Sequence, residues 1–261
     1  MTDSSLKAWL ERDNQVLRLQ LARPKANIID SRMLDALSSA LGKYADDARL
    51  LAVVLDAEGP HFSFGASVEE HLPDQCAGML AKINSLILQM ISYPVPIVAA
   101  VQGQCLGGGL EVVCSASPII AAPDAQLGQP EISLAVIAPA ASCLLPERVG
   151  QAQAEMLLLS GKSIDAQRAK SIGLVDEVNE SPTDAAMAWV DENIIGRSAS
   201  SLRIAVRAAR RDYIERMKSG LERVENMYND ELMQTKDPLE GLNAFLQKRK
   251  PTWENDAEGV E

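Results

Sequence analysis

A buried strand that leads into three consecutive glycines constrains this chain more than any other stretch. Residues Ile97–Val101 are all apolar and lack the polar alternation of a strand with one wet face, which predicts a strand buried on both faces. Gly107, Gly108 and Gly109 follow, and an apolar helical pattern starts at Leu110. A helix beginning at such a turn presents free backbone N–H groups that can hold a developing oxyanion. A tight turn with positive φ would also explain the glycines.

Three short segments resemble those of the enoyl-CoA hydratase/isomerase (crotonase) family, in its order and at about its spacing. They are residues 61–67 (HFSFGAS), 103–111 (GQCLGGGLE) and 128–132 (GQPEI). These segments are similar to the family's F-S-x-G-A-D, N-G-x-x-x-G-G-G-x-E and G-x-P-E. The likeness continues to residues 245–250 (FLQKRK), so the resemblance covers nearly the whole chain.

The resemblance implies an α/β protein with the crotonase (ClpP-like) fold, in which stacked ββα units precede a C-terminal helical trimerisation region. Residues 1–195 are then expected to form the core domain and residues 196–261 the helical region. Independently, alternating strand and helix patterns from residue 50 onward predict a mostly parallel sheet. The alternation from Trp9 to Leu21 predicts an antiparallel opening strand, and the chain is expected to become helical from about residue 147.

Four residues carry the chemistry that the resemblance implies. Ala66 and Gly108 match the backbone donors of the oxyanion hole, while Glu111 and Glu131 match the two catalytic glutamates of family hydratases. Taken singly, Glu111 could stabilise a helix dipole and Glu131 could be surface decoration. Two carboxylates beside one water can orient it, remove a proton and deliver one to carbon, provided that at least one has a raised pKa. Because family isomerases typically rely on one glutamate, the pair favours water addition.

The resemblance also implies contacts with coenzyme A. Lys25 and Ala26 lie in a turn that matches the family's R-P-x-x-x-N turn beside the CoA phosphates, and Val68 follows the oxyanion loop. Lys248 matches a lysine that reaches the nucleotide of a neighbouring subunit, aided by the aromatic at the Phe245 position. A plain proline turn and solvated surface charge are the alternative explanations. CoA would enter as part of the substrate, so no separate cofactor is expected.

Two departures from the family pattern concern the acyl pocket. Ser67 replaces the usual aspartate, and residues 136–146 (VIAPAASCLLP) contain no glycine where many hydratases read I-P-G-x-G-G-T. Residues 138–146 (APAASCLLP) and 104–111 resemble the cyclohexa-1,5-diene-1-carbonyl-CoA hydratase subfamily, which forms 6-hydroxycyclohex-1-ene-1-carbonyl-CoA in anaerobic benzoyl-CoA degradation. A cyclic acyl group would suit an apolar wall, although the same residues could be core: Leu134, Val136, Ile137 and Ala138. A general 2-enoyl-CoA hydratase of fatty-acid β-oxidation and a catalytically silent CoA-binding scaffold subunit are the alternatives.

Composition excludes several other classes of protein. The net charge of −11 argues against nucleic-acid binding, which needs a basic surface. Apolar runs fall short of the roughly 18 residues that span a bilayer, and the N-terminus lacks a secretory h-region, which favours a cytoplasmic protein without membrane contact. His61 and His71 are the only histidines, and the cysteines have no C-x-x-C spacing, so no metal site is expected. The family resemblance implies a homo-oligomer, a hexamer built as a dimer of trimers.

Overall fold

A parallel sheet buried on both faces organises the structure, a computed structural model that describes residues 5–255. In that range a six-stranded sheet has the order β1-β2-β3-β4-β6-β9, and a small sheet has the order β5-β7-β8. The strands are β1 (Leu6–Glu11), β2 (Val16–Leu21), β3 (Ala52–Ala57), β4 (Ile97–Val101), β5 (Gln104–Leu106), β6 (Ile119–Ala121), β7 (Gln126–Gly128), β8 (Ile164–Asp165) and β9 (Glu177–Val178).

Helices cover both faces of the large sheet. They are α1 (Ser31–Tyr44), α2 (Cys76–Ile91), α3 (Gly108–Cys114), α4 (Pro139–Val149), α5 (Gln151–Ser160), α6 (Ala166–Ser171), α7 (Pro182–Asn193), α8 (Ala199–Asn226) and α9 (Asp237–Leu246). In β3, Val53 and Leu55 belong to the main core beneath α1 and α2, whereas Val54 packs with Val190 of α7 on the other face. Strict alternation of two apolar faces explains why this strand has no polar pattern.

The predicted parallel sheet is confirmed. From β2 to β9 every neighbouring pair in the large sheet is parallel, and β1 is the single antiparallel strand, at the edge. The single opening strand expected from residues 9–21 is wrong, because β1 and β2 form a hairpin. Its turn places Arg12, Asp13 and Asn14 at positive φ, a conformation that Asp and Asn tolerate better than most residues.

The expected change to helix at about residue 147 is also wrong in position. Helix α4 already begins at Pro139, in the first helical position where its missing N–H costs nothing. Strands β8 and β9 come later still, and β9 completes the large sheet beside β6. Strands of two residues are too short to show any periodicity in a sequence.

The C-terminal helices pack on the core. Helix α8 contacts α2 and α4, and α9 contacts the 3-10 turn Pro130–Leu134. The predicted division at residue 195 falls in the connection between α7 and α8. None of the helices in residues 5–255 is long and apolar enough to cross a membrane. The acidic end of the tail, residues 256–261, lies outside the described residues.

Candidate active site

The N–H groups of Ala66 and Gly108 lie side by side. A Cβ added to Gly108 would be 3.2 Å from the Ala66 nitrogen and 3.1 Å from the Ala66 Cβ. Gly108 is the first residue of α3, so its N–H has no acceptor within the helix. Neither N–H is among the backbone donors that find a partner in residues 5–255. The structure therefore brings together two donors that can serve an oxyanion.

Close backbone packing fixes the loop that carries Ala66. Ser63 Oγ donates to the Asn27 carbonyl at 2.8 Å and accepts from the Gly65 N–H at 3.0 Å. A Cβ on Gly109 would lie 2.6 Å from the Ser63 Cβ, so only glycine permits this approach. Gly65 has a φ of +104°, which residues with side chains rarely adopt. Neither Ser63 nor Asn27 was singled out from the sequence.

The small sheet brings the two glutamates together. Strands β5 and β7 run parallel, and just beyond them the Gly107 N–H donates to the Gly128 carbonyl at 3.0 Å. Glu111 lies in the first turn of α3, and Glu131 lies in the first turn of the 130–134 segment. A Cβ on Gly107 would be only 2.5 Å from Glu131 Oε1. The Glu131 carboxylate thus rests directly on the glycine turn that presents the oxyanion donors.

Burial raises the pKa of both carboxylates. Glu111 is only 4% exposed, and this burial raises its pKa from the ordinary 4.5 although the N–H groups of Ala141 and Ala140 act in the opposite direction. Burial likewise raises the pKa of Glu131, and the charge of Glu111 raises it further. Two like charges in one dry site resist simultaneous ionisation, so the pair can retain one proton near neutral pH. One carboxylate can then act as base while the other acts as acid.

The start of α4 holds Glu111 in place. The Ala141 N–H donates to Glu111 Oε1 at 2.9 Å, using a backbone donor that the first turn of a helix leaves free. The sequence indicated that the glycine-free segment, residues 136–146, alters the acyl pocket. It did not predict that this segment donates a hydrogen bond to Glu111. Pro139 was the signal available, since proline favours the first position of a helix.

A buried glutamine supports Glu131. Gln129 is 1% exposed, and with its amide oriented to match its neighbours the NH₂ group donates to both Glu131 oxygens, at 3.0 and 3.1 Å. This contact fixes the carboxylate from one side and leaves its ionised form better stabilised than burial alone would allow. The sequence gave no reason to single out Gln129, which occupies the variable position of the G-x-P-E segment.

A cavity of about 740 Å³ opens beside these groups. Ala66, Val68, Gly107 and Glu131 line it. Of the four apolar residues expected in the acyl wall, Leu134 and Val136 line the cavity, whereas Ala138 is buried in the core and Ile137 packs against that core.

Helix α9 closes one side of the cavity of its own chain. Gly241, Ala244 and Phe245 line the cavity, and Phe245 is 55% exposed. Phe245 therefore lies at the cavity of the chain that carries it, and the part in CoA binding at a neighbouring subunit that the family resemblance implies for it stays a prediction. Lys248 is exposed and is not part of the cavity wall, whereas Arg249 is part of it.

The turn expected to contact CoA lies next to the oxyanion loop. The Ala26 carbonyl accepts from the Phe64 N–H at 2.9 Å, and Lys25 is exposed with a φ of +94°. Neither Lys25 nor Ala26 lines the cavity, although Ile28 does. The CoA contacts of Lys25, Ala26 and Lys248 therefore stay predictions.

The serine that replaces the usual aspartate keeps the loop supported. Ser67 Oγ donates to Glu69 Oε2 at 2.9 Å, and the Ser67 carbonyl lies 2.7 Å from His71 Nδ1. Burial lowers the pKa of His71, so its ring is neutral at pH 7 and donates through Nδ1. Within the described range, 5–255, no group of three or more His, Cys, Asp and Glu residues could hold a metal ion.

A bell-shaped pH profile displaced to high pH is expected for kcat/KM. The base must be ionised, so activity falls as the pH drops below its pKa; the acid must be protonated, so activity also falls as the pH rises above its pKa. Because the pKa values of both glutamates are raised, the apparent pKa on the acidic side of the profile should lie above 4.5, the ordinary value for glutamate. Initial rates measured between pH 4 and 10 check this. An apparent pKa at or below 4.5 on the acidic side would show that the pKa of the base is not raised.

Solved structures share this architecture. An enoyl-CoA hydratase/isomerase from Pseudoalteromonas atlantica is 28% identical and superposes with a TM-score of 0.81 over 95% of this chain and 99% of that one. An enoyl-CoA hydratase from Mycobacterium avium, 24% identical, gives a TM-score of 0.85 over 97% and 100%. These superpositions confirm the expected crotonase fold. The chain therefore belongs to the class of proteins that have this fold.

Sequence comparison narrows the class to a family. The model of the enoyl-CoA hydratase/isomerase family matches residues 11–256, so the chain belongs to this family. Cyclohexa-1,5-dienecarbonyl-CoA hydratase from Thauera aromatica is 59% identical over 97% of this chain and 98% of the relative. A probable enoyl-CoA hydratase from Bacillus subtilis is 33% identical over 94% and 97%.

Proposed function

We propose that this protein is a hydro-lyase that adds water to cyclohexa-1,5-diene-1-carbonyl-CoA and forms 6-hydroxycyclohex-1-ene-1-carbonyl-CoA. The observation that carries the reaction type is the buried pair of Glu111 and Glu131 with raised pKa values, beside the paired N–H groups of Ala66 and Gly108. The substrate rests on the 59% identity with the Thauera hydratase. The similarity to the Thauera hydratase also supports the proposal that this protein acts in anaerobic benzoyl-CoA degradation.

The thioester determines where water attacks. Only the ring carbon β to the carbonyl is electrophilic, and attack there moves an electron pair onto the thioester oxygen as an enolate. The N–H groups of Ala66 and Gly108 stabilise that oxygen, each donor being worth roughly 3 kcal/mol of barrier in oxyanion holes of this kind. One glutamate removes a proton from the attacking water as the new C–O bond forms.

The product determines where the proton goes. The enolate is conjugated with the second ring double bond, so it can be protonated at the α carbon or at the far end of that double bond. Only protonation at the far end leaves a ring double bond conjugated with the thioester, as the product name requires. The hydroxyl group and the proton are therefore added to two ring carbons that are para to each other. The proton delivered to carbon balances the proton taken from water.

Deuterium labelling should locate the added proton. In D₂O, the product is expected to carry one deuterium on the ring carbon para to the hydroxyl-bearing carbon, because the proton is delivered to the far end of the dienolate. NMR of the isolated product identifies the position. Deuterium on the α carbon would instead indicate ordinary hydration of adjacent carbons, and would contradict the proposed product. Product incubated in D₂O after removal of the enzyme controls for exchange.

Substrate preference tests the acyl specificity. Purified protein is incubated with the cyclic dienoyl-CoA and with crotonyl-CoA, and the reaction is followed by absorbance and product mass. Faster turnover of the cyclic substrate is expected. Preference for crotonyl-CoA would instead indicate a general 2-enoyl-CoA hydratase, and inactivity on both would favour a catalytically silent CoA-binding scaffold.

We further propose that the enzyme acts as a cytoplasmic homo-oligomer, a hexamer built as a dimer of trimers, on an acyl-CoA that contacts Lys25, Ala26, Val68, Phe245 and Lys248. Family resemblance supports the assembly. For the CoA contacts, Val68 and Phe245 have the additional support that both line the cavity. Sedimentation of the purified protein tests the assembly size.

A further inference from the structure

A second cavity, of about 310 Å³, lies between α8 and the C-terminal ends of α3 and α4. It shares no lining residue with the cavity beside Glu131. Arg148, Arg210 and Arg216 line it, whereas Glu147 is the one acidic residue among its described lining residues. We call it the arginine cavity. The chain carries a net charge of −11, so this local excess of positive charge requires an explanation.

Two of the three arginines already have partners. Arg216 Nε and Nη2 donate to the two carboxylate oxygens of Glu147, each at 2.8 Å, so these two charges cancel. Arg148 donates to two backbone carbonyls, and its Nη2 lies 3.7 Å from Asp176. The charge that has no counterpart in the cavity is therefore that of Arg210.

Arg210 has no acidic partner within residues 5–255, although its side chain is partly buried. Its Nη1 donates to the Ile91 carbonyl at 3.2 Å. Burial lowers the pKa of Arg210, and no carboxylate opposes that effect. Arg203 shows how the same helix anchors an arginine with a structural role, since it donates to three backbone carbonyls in the turn after α1. A cation removed from water is normally paired, so Arg210 is available for an anion.

Further donors open into the arginine cavity. The Tyr213 hydroxyl, Arg148 Nη1 and Arg210 Nη2 have no hydrogen-bond partner in the described part of the chain, and they are not closed to solvent. Burial raises the pKa of Tyr213 to about 12, while the charges of Arg148 and Arg210 act in the opposite direction. The phenol therefore stays protonated at neutral pH and is a donor within range of both guanidinium groups.

We propose that the arginine cavity binds a small oxyanion, a phosphate or a carboxylate, through Arg210, Arg148 and the Tyr213 hydroxyl. Guanidinium groups donate hydrogen bonds in pairs to the oxygens of such anions, and these charge-assisted bonds are the strong ones. The anion supplies the counter-charge that Arg210 lacks. It would lie against α3 and α4, the two helices that hold Glu111 in place. The inference does not depend on the proposed hydration.

Inorganic phosphate is the probe for this site. The midpoint of thermal unfolding of the full chain is measured while phosphate replaces chloride at constant ionic strength, and calorimetric titration gives the affinity. A saturable rise of the midpoint is expected, because a ligand that binds only the folded protein stabilises it. Arg210→Gln should weaken phosphate binding by roughly 10-fold or more, the effect of losing a charged donor. Tyr213→Phe should weaken it by about 5-fold, the effect of one neutral hydrogen bond.

Arg211→Gln is the matched control. Arg211 is the next residue of α8, is exposed and pairs with Asp212, so the variant removes the same charge outside the arginine cavity. Its affinity for phosphate should equal that of the wild type. A general salt effect of phosphate would not saturate and would be the same in both arginine variants.

Three results would overturn the site. They are wild-type affinity in Arg210→Gln, displacement of phosphate by saturating coenzyme A, which would place the anion in the candidate active site, and a wild type without saturable binding. If the wild type does not bind phosphate and Arg210→Gln also changes the sedimentation coefficient, the arginine cavity belongs to a contact between copies of the chain and is not a site for a free anion.

Discussion

Glu111→Gln is expected to lower kcat by roughly 10³-fold, within the range of 10² to 10⁴ typical for loss of a positioned acid or base. The amide cannot exchange the proton that the glutamate pair shares. The fold should survive, since the amide oxygen can still accept from the Ala141 N–H that Glu111 binds at 2.9 Å. KM should change little, because the substitution alters one buried carboxylate and leaves the residues expected to contact CoA in place. Steady-state kinetics on the cyclic dienoyl-CoA measures both constants.

The pH dependence of protein stability provides a second test of Glu111→Gln. A pKa that is higher in the folded state than in the unfolded state means that the folded protein binds more protons. The stabilising contribution of Glu111 to the free energy of unfolding is therefore present at low pH and is lost as the pH rises through the raised pKa. Glu111→Gln should therefore remove the part of the decline in stability that Glu111 causes between pH 4.5, its ordinary pKa, and about 7, its raised pKa. Glu147→Gln is the control, because Glu147 lies in α4 and pairs with Arg216 at 2.8 Å; it should leave kcat unchanged. Unaltered kcat in Glu111→Gln would refute the catalytic assignment.

Gly107→Ala should damage both the fold and the reaction. Gly107 has a φ of 48° and a ψ of −129°, a conformation that costs residues with a Cβ about 1 to 3 kcal/mol. The added Cβ would also lie 2.5 Å from Glu131 Oε1 and force this carboxylate to move. Since a displacement of about 1 Å can cost roughly 10²-fold in rate, we expect kcat to fall by about that factor. Denaturant unfolding and steady-state kinetics measure the two effects.

Gly78→Ala is the matched glycine substitution. Gly78 lies in α2, and a Cβ there would meet nothing within 4 Å. Alanine should stabilise that helix by up to about 1 kcal/mol and leave kcat unchanged. Equal effects of the two substitutions would show that the glycine turn does not position Glu131.

Local patterns in the sequence predicted the elements that lie next to the site. The apolar run of β4 has the same bounds in the structure as in the prediction, because a strand buried on both faces leaves an uninterrupted signal. The apolar periodicity of residues 77–91 predicts a helix, and the structure has α2 there, one residue longer at its start. The juxtaposition of Glu111 and Glu131 came from family motifs, and its physical cause became visible only in the pairing of β5 with β7.

Contacts between distant parts of the chain could not be predicted in this way. The bond from Ala141 to Glu111 joins residues 30 positions apart, and it depends on where α4 begins relative to α3.

The packing of α9 on the 130–134 turn has a consequence for the order in which the site forms during synthesis. A Cβ on Gly241 would collide with the Leu134 carbonyl oxygen, so the two backbones are in direct contact just beyond Glu131. Both carboxylates and the oxyanion donors leave the ribosome long before α9, which supplies one side of the cavity. A nascent chain can therefore fold its sheet and align its glutamates while the binding cavity is still open on that side, and it gains the complete cavity only when α9 has been made.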